Sequence, residues 1–227
     1  MIPLRDENPS RTFPFVTITI IVMNVLVFLY ELILGSSQLE PVIKRFGVIP
    51  YNFSHQPIAA AVWLSLFTSL FLHGDFLHIA GNMLYLWIFG NNIEDKLGHL
   101  RFIFFYLSCG IAASLGHVLS ALNSQMPTIG ASGAISGVLG AYLVLYPNAK
   151  ILTLVPLFYM FRIIRINAKW FLLIWIIMQI FSGTASVTYA DASSRGGVAW
   201  FAHIAGFFAG ILFLFLLIPK KKKRNPV

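Results

Sequence analysis

Charge is scarce in this chain of 227 residues: Asp, Glu, Lys and Arg together make up only 11% of it. A soluble domain carries about 25% charged and roughly 45–50% apolar residues, whereas 58% of this chain is apolar. A soluble globular domain is therefore excluded, and so is a disordered chain, which lacks apolar content. The single cysteine, Cys109, excludes an internal disulfide framework. Acids are the scarcer charge, eight against 16 basic residues, and five of the bases form the run Lys220 to Arg224 behind an apolar stretch. A basic run beside a membrane span faces the cytoplasm and contacts anionic lipid, so the net charge of +8 is not read as a sign of nucleic-acid binding. Internal repeats and low-complexity tracts are missing too, which gives no support to a repeat-built transporter. A polytopic helical membrane protein remains.

Residues 1–14 carry Arg5, Asp6, Glu7 and Arg11 before any apolar run, and lack a cleavage site. They are expected to form a short cytoplasmic arm, with the first span retained in the mature protein. A bilayer core of about 30 Å takes roughly 20 helical residues. Six apolar runs qualify, at 15–34, 77–92, 102–122, 131–146, 170–181 and 198–218. The stretch 151–164 is also apolar but ends in Arg162 and Arg165, and is expected at the interface. Six spans put both termini on one side. Placing them inside leaves only Lys44, Arg45 and Arg195 of the basic residues outside, a strong positive-inside bias. The organisation expected is a cytoplasmic arm (1–14), an all-α six-helix membrane domain (15–218) and a basic cytoplasmic tail (219–227). The outside loops would be 35–68, 123–130 and 182–197. The first, with Trp63, Phe67 and Phe71, is read as an interfacial loop.

Polar groups at membrane depth are costly, and each is a functional candidate. Four histidines lie near span ends: His73, His78, His117 and His203. Among the acids only Glu31 falls well within a run, near an outer end where it is expected to reach water; no carboxylate lies within a span near His203. The fourth run opens Gly130-Ala131-Ser132-Gly133-Ala134-Ile135-Ser136-Gly137. This differs from the Gly-x-Ser-x-Gly turn of soluble hydrolases, because the second glycine is displaced and no strand precedes the serine. As a membrane helix, Gly133 and Gly137 clear one face for close backbone contact. Ser132 falls in the first turn, where unpaired N–H groups and the helix dipole suit an oxyanion; a plain capping role is the other reading. In the sixth run His203, Gly206 and Gly210 share a face, with His203 about 9 Å deep. Packing of the two glycine faces would draw Ser132 and His203 together. His78 and Asn82, at i and i+4, can donate toward one point. His73 and His78 lie about 140° apart round a helix, with no cysteine or suitably spaced carboxylate beside them, so no metal site is expected.

A serine opening a glycine-lined span, a histidine on a second such span and His-x-x-x-Asn on a third resemble the rhomboid family of intramembrane serine proteases. The match covers nearly the whole chain: the arm before the first span, Leu72-His73-Gly74-Asp75 leading to His78 and Asn82, Gly130-Ala131-Ser132-Gly133, and His203-x-x-Gly206 fall in the expected order. The resemblance implies Ser132 as nucleophile and His203 as general base. It implies His78 and Asn82 as oxyanion donors, joined by the backbone N–H groups of Ser132 and Gly130, with His73 shaping the site. It also implies a membrane-dipping first outside loop, a mobile fifth span, and no cofactor. Substrates would be single-span membrane proteins cut at or near the outer face after a small residue. The missing transit peptide and the cytoplasmic tail point to a bacterial-type plasma membrane. Two positions depart from the family pattern. Trp63-Leu64-Ser65 stands where relatives often carry Trp-Arg, and Ser136 stands where some carry a tyrosine stacked on the base. The orientation of His203 must then come from other packing. With no carboxylate at suitable depth, the chemistry expected is a Ser–His dyad rather than a triad. A catalytically inactive rhomboid-like protein that binds or chaperones membrane segments is the alternative.

Overall fold

The computed structural model describes residues 1–157, 160–188 and 198–219. The basic run from Lys220, Asp191, Arg195 and most of the expected loop 182–197 lie outside the described residues. The elements are β1 (Ile2–Asp6), α1 (Phe15–Phe46), α2 (Pro50–His55), α3 (Ala60–Thr68), α4 (Phe76–Tyr85), α5 (Asn91–Leu97), α6 (His99–Ser120), α7 (Ser132–Leu145), β2 (Lys150–Leu157), β3 (Met160–Asn167), α8 (Ala168–Thr188) and α9 (Trp200–Leu217). A π-helical turn, Leu86–Gly90, joins α4 to α5.

Each of the six apolar runs is helical at its core. Among the described residues, four helical stretches are long and apolar enough to cross a membrane alone: Phe15–Gly35, His99–Ser120, Ala168–Ser186 and Trp200–Leu217. Ala60–Phe71 and Phe76–Leu97 qualify as a pair bent by 81°. Helix α7 is apolar but has 14 residues, about 21 Å at 1.5 Å per residue. This is the architecture of a multi-pass membrane protein. Helix α1 turns at Gly35, where φ is 69° and ψ is 167°, so part of the expected first loop is helix; α2 and α3 occupy much of the rest.

The all-α expectation needs correction. Stretch 151–164 is not an isolated interfacial segment but most of a hairpin, with Lys150 opposite Asn167 and Val155 opposite Arg162. Its first strand pairs antiparallel with β1, Ile2 opposite Leu154 and Asp6 opposite Ile151. Residues 1–14 therefore contain a strand. The β-branched residues Ile151, Thr153, Val155, Ile163, Ile164 and Ile166 favour that conformation. Asp6 ties the sheet to the bundle, accepting hydrogen bonds from the Tyr142 hydroxyl and Asn92 Nδ2, each at 2.7 Å. Burial holds its carboxyl above the ordinary 3.8, against the hydrogen bonds, which pull it down.

The start of α1 is satisfied from across the chain. Glu94, fully buried, accepts from the N–H groups of Val16 (2.9 Å) and Thr17 (2.8 Å) and from the Thr17 hydroxyl (2.7 Å). A carboxylate suits a helix N-terminus because it meets unpaired donors and the positive end of the dipole. Asp95 similarly accepts from the N–H and hydroxyl of Thr12.

The core surrounds α7, where every residue from Gly133 to Tyr142 is buried. The aromatics Phe89, Phe102, Phe105, Tyr106 and Phe171 belong to the same core. Helix α9 lies so close to α7 that a Cβ on Gly206 would strike the Gly133 carbonyl, and one on Gly210 the Gly137 carbonyl. The two glycine faces form the seam that their spacing predicts.

Candidate active site

The seam sets the outer ends of α7 and α9 side by side. Ser132 is the first residue of α7 and His203 the fourth of α9. Ser132 Oγ lies 2.8 Å from His203 Nε2, within hydrogen-bond reach. No side chain caps α7: the Ser132 hydroxyl faces the imidazole instead of its own helix. Ser136, one turn on, donates its hydroxyl to the Ser132 carbonyl at 2.7 Å and so turns away from the histidine.

The imidazole is held from three sides. Gln179 Oε1, on α8, lies 2.7 Å from Nδ1. The Trp175 ring is tilted 35° at 6.0 Å, and the Trp200 ring meets the imidazole edge-on at 6.3 Å. Gln179 is buried, at 6% exposure. An amide is not ionisable, but Gln179 is the one polar residue in the run 170–181. A lone amide among apolar residues was the available signal.

Asp75 fixes the third element. As the N-cap of α4 it accepts the His78 N–H at 2.8 Å, starting the helix that carries His78 and Asn82. Both face the same point: a Cβ on Gly130 would lie 2.6 Å from His78 Nε2 and 3.6 Å from Asn82 Nδ2. Only glycine leaves that space open, and its φ of +117° is rarely adopted by other residues. The Gly130 N–H, however, donates to the Ser69 carbonyl at 2.8 Å. That contact removes it from the oxyanion donors expected from the resemblance. His78, Asn82, Ser132, Trp175 and His203 line one cavity of about 830 Å³.

Asn82 is braced by a relay. Its Nδ2 lies 2.9 Å from His73 Nε2, while His73 Nδ1 lies 3.3 Å from the Phe71 carbonyl. Nδ1 can only donate there, which leaves Nε2 to accept from Asn82. The His73 backbone N–H donates to both Glu31 carboxyl oxygens at 3.2 Å. Glu31 is 2% exposed, so it does not reach water as expected; it grips the backbone of the bend before α4. His117 stays apart, its buried Nδ1 without a hydrogen-bond partner among the described residues. Those residues hold no group of three or more His, Cys, Asp or Glu side chains able to share a metal ion.

Known proteins resemble this chain in sequence. Residues 60–220 match the family model described as the Rhomboid domain. The chain is 33% identical over 206 residues to Rhomboid protease GluP of Bacillus subtilis, covering 90% of this chain and 35% of that protein. It is 29% identical over 226 residues to the Putative rhomboid protease YdcA of the same bacterium, covering 97% and 98%. A 96-residue stretch is 42% identical to Rhomboid protein 1, mitochondrial, of Saccharomyces cerevisiae, covering 40% and 28%. The chain thus spans about a third of the length of the first of these relatives and nearly all of the second.

Proposed function

The chain belongs to the rhomboid family, and from that premise we propose that it is an intramembrane serine endopeptidase acting through a Ser132–His203 dyad. The observation that carries this reading is the 2.8 Å approach of Ser132 Oγ to His203 Nε2 inside a cavity large enough for a peptide segment. A serine hydroxyl becomes an effective nucleophile when a base within reach takes its proton. His203 Nε2 accepts that proton as Oγ attacks the scissile carbonyl, then returns it to the leaving amine. The oxyanion is met by the unpaired N–H at the start of α7 and by the side chains of Asn82 and His78. Each such donor is worth roughly 2.7–4 kcal/mol in soluble serine proteases. Water entering the same cavity then hydrolyses the acyl-enzyme.

The chain crosses the membrane six times in this reading, with both termini cytoplasmic and the basic tail against anionic lipid. A 14-residue α7 is too short to span a core of about 30 Å, which supports a nucleophile sunk below the outer face and reached by water. Substrates are single-span membrane proteins in the cell membrane. A helical substrate must unwind before its carbonyl can be attacked, so helix-weakening residues near the cut favour cleavage.

A serine-reactive fluorophosphonate probe and a single-span reporter test the proposal on purified protein in liposomes. Labelling and cleavage are expected in the wild type and lost in Ser132→Ala and His203→Ala. Folded wild-type protein that neither labels nor cleaves refutes the reading and favours an inactive binding protein.

A further inference from the structure

We infer that Gln179 is a positioning residue for His203, an uncharged third partner that fixes which ring nitrogen faces Ser132. The inference rests on the dyad reading of the same site. For Nε2 to accept the Ser132 proton, the neutral imidazole must carry its hydrogen on Nδ1. Nδ1–H then needs an acceptor, and a buried donor left without one carries a substantial desolvation cost. Gln179 Oε1 stands 2.7 Å from Nδ1, and among the described residues no other group hydrogen-bonds that nitrogen. Trp175 and Trp200 pack against the ring, but ring packing does not distinguish one tautomer from the other. Ser136 does not take that place: its hydroxyl donates to the Ser132 carbonyl and makes no hydrogen bond to His203 among the described residues.

The bond has a second consequence. Ser132 and His203 sit on the two helices of the glycine seam, whereas Gln179 belongs to α8. The direction in which the imidazole points is therefore set by a helix outside the seam, from a position 24 residues before the histidine. An amide accepts Nδ1–H as a carboxylate would, without a buried charge. It orients the base but does not neutralise the imidazolium formed during reaction.

Three variants separate this role from simple packing: Gln179→Leu, which keeps the size and removes the acceptor, Gln179→Met as a second apolar variant should Leu fail to fold, and Gln179→Glu, which keeps an acceptor. The ¹⁵N spectrum of histidine-labelled protein, with the His203 signals identified by their loss in His203→Ala, reads the tautomer at a pH above the ordinary imidazole range. Wild type and Gln179→Glu should show Nδ1–H alone; Gln179→Leu or Gln179→Met should show a tautomer mixture. For reporter cleavage, the apolar variants should lose about 10- to 100-fold in kcat with KM within about threefold, and Gln179→Glu should recover most of the loss. An unchanged tautomer in a folded apolar variant overturns the inference, whatever happens to kcat. The spectrum gives that answer even if the wild type proves unable to cleave, an outcome that would count against the dyad reading alone.

Discussion

Replacing Gly206 with alanine tests whether the reacting pair is set by the distance between two helices. The new Cβ would meet the Gly133 carbonyl well inside the 3.0 Å below which something must shift. Neither partner is a flexible side chain: the Cβ is fixed to α9, and the carbonyl belongs to α7 one residue after Ser132. The helices must part by about an ångström to reach ordinary contact near 3.4 Å. The Ser132–His203 contact is 2.8 Å, and a parting of that size takes it past about 3.6 Å, where no hydrogen bond remains. A misplacement of about 1 Å can cost on the order of 10²-fold in rate, and overpacking a tight interior costs roughly 1–3 kcal/mol of stability. The expected result is a fall of about 10²-fold in kcat/KM for a single-span reporter in liposomes, with a lower melting temperature. Gly210→Ala drives the same wedge against the Gly137 carbonyl one turn deeper, and should cost similar stability but less rate. Gly81→Ala is the stability control: it lies within α4 with no atom inside 4 Å, and should gain about 0.5–1 kcal/mol from the helical preference of alanine. A folded Gly206→Ala protein with wild-type kcat/KM would refute the argument.

Asp75→Asn should leave turnover within a few-fold, since asparagine caps a helix about as well as aspartate; a loss near 10⁴, the scale seen when a triad loses its acid, would contradict the dyad. Asn82→Ala should slow reporter cleavage by about 10²–10³, and an unchanged kcat would remove Asn82 from the oxyanion donors. Glu94→Gln leaves one of the three donors that its carboxylate satisfies at the start of α1 unpaired, and should lower stability by about 1–3 kcal/mol, read by thermal melting; an unchanged melting curve would show that the contact contributes nothing. Asp6 titrates with a definite sign. Its folded-state pKa is raised by burial, so its contribution is fully present below the ordinary 3.8 and is lost as pH rises through the folded value. Wild type should therefore gain stability over Asp6→Asn as pH falls toward 3.8, in paired melting curves, and the opposite slope would contradict the burial argument.

The seam was legible because its signal is local: glycines four apart fall on one helical face whatever the rest of the chain does. From it followed the pairing of Ser132 with His203. The sheet was not legible, because residues 151–157 and 160–166 lack a clean polar alternation and β1 finds its partner nearly 150 residues away. For Glu31 the sequence shows the position along the helix but not the surroundings. Hydropathy reports a carboxylate near a helix end, not the bend at His73 that brings a backbone N–H to it. The Gly130 amide failed for the same kind of reason, since its acceptor at Ser69 lies 61 residues earlier. Gln179 stood in plain view as a lone amide, but only the arrangement of α8 against α9 shows what it faces.

A neutral third partner suits a site built at this depth. A buried carboxylate beside the imidazole would carry its charge in the resting state, where few donors can compensate it, and uncompensated buried charge costs several kcal/mol. An amide satisfies Nδ1–H at rest without that cost. When Ser132 attacks, positive charge appears on His203 and negative charge on the oxyanion together, a few ångströms apart, and both vanish when the amine leaves. The pair compensates itself for as long as it exists. The demand on the protein is then geometric: hold the ring at 2.8 Å from the hydroxyl through the glycine seam, and hold the proper nitrogen toward it through Gln179. On this account a carboxylate at 179 would still orient the base, but at the expense of a standing charge. Gln179→Glu should therefore restore rate relative to Gln179→Leu while melting at a lower temperature than wild type.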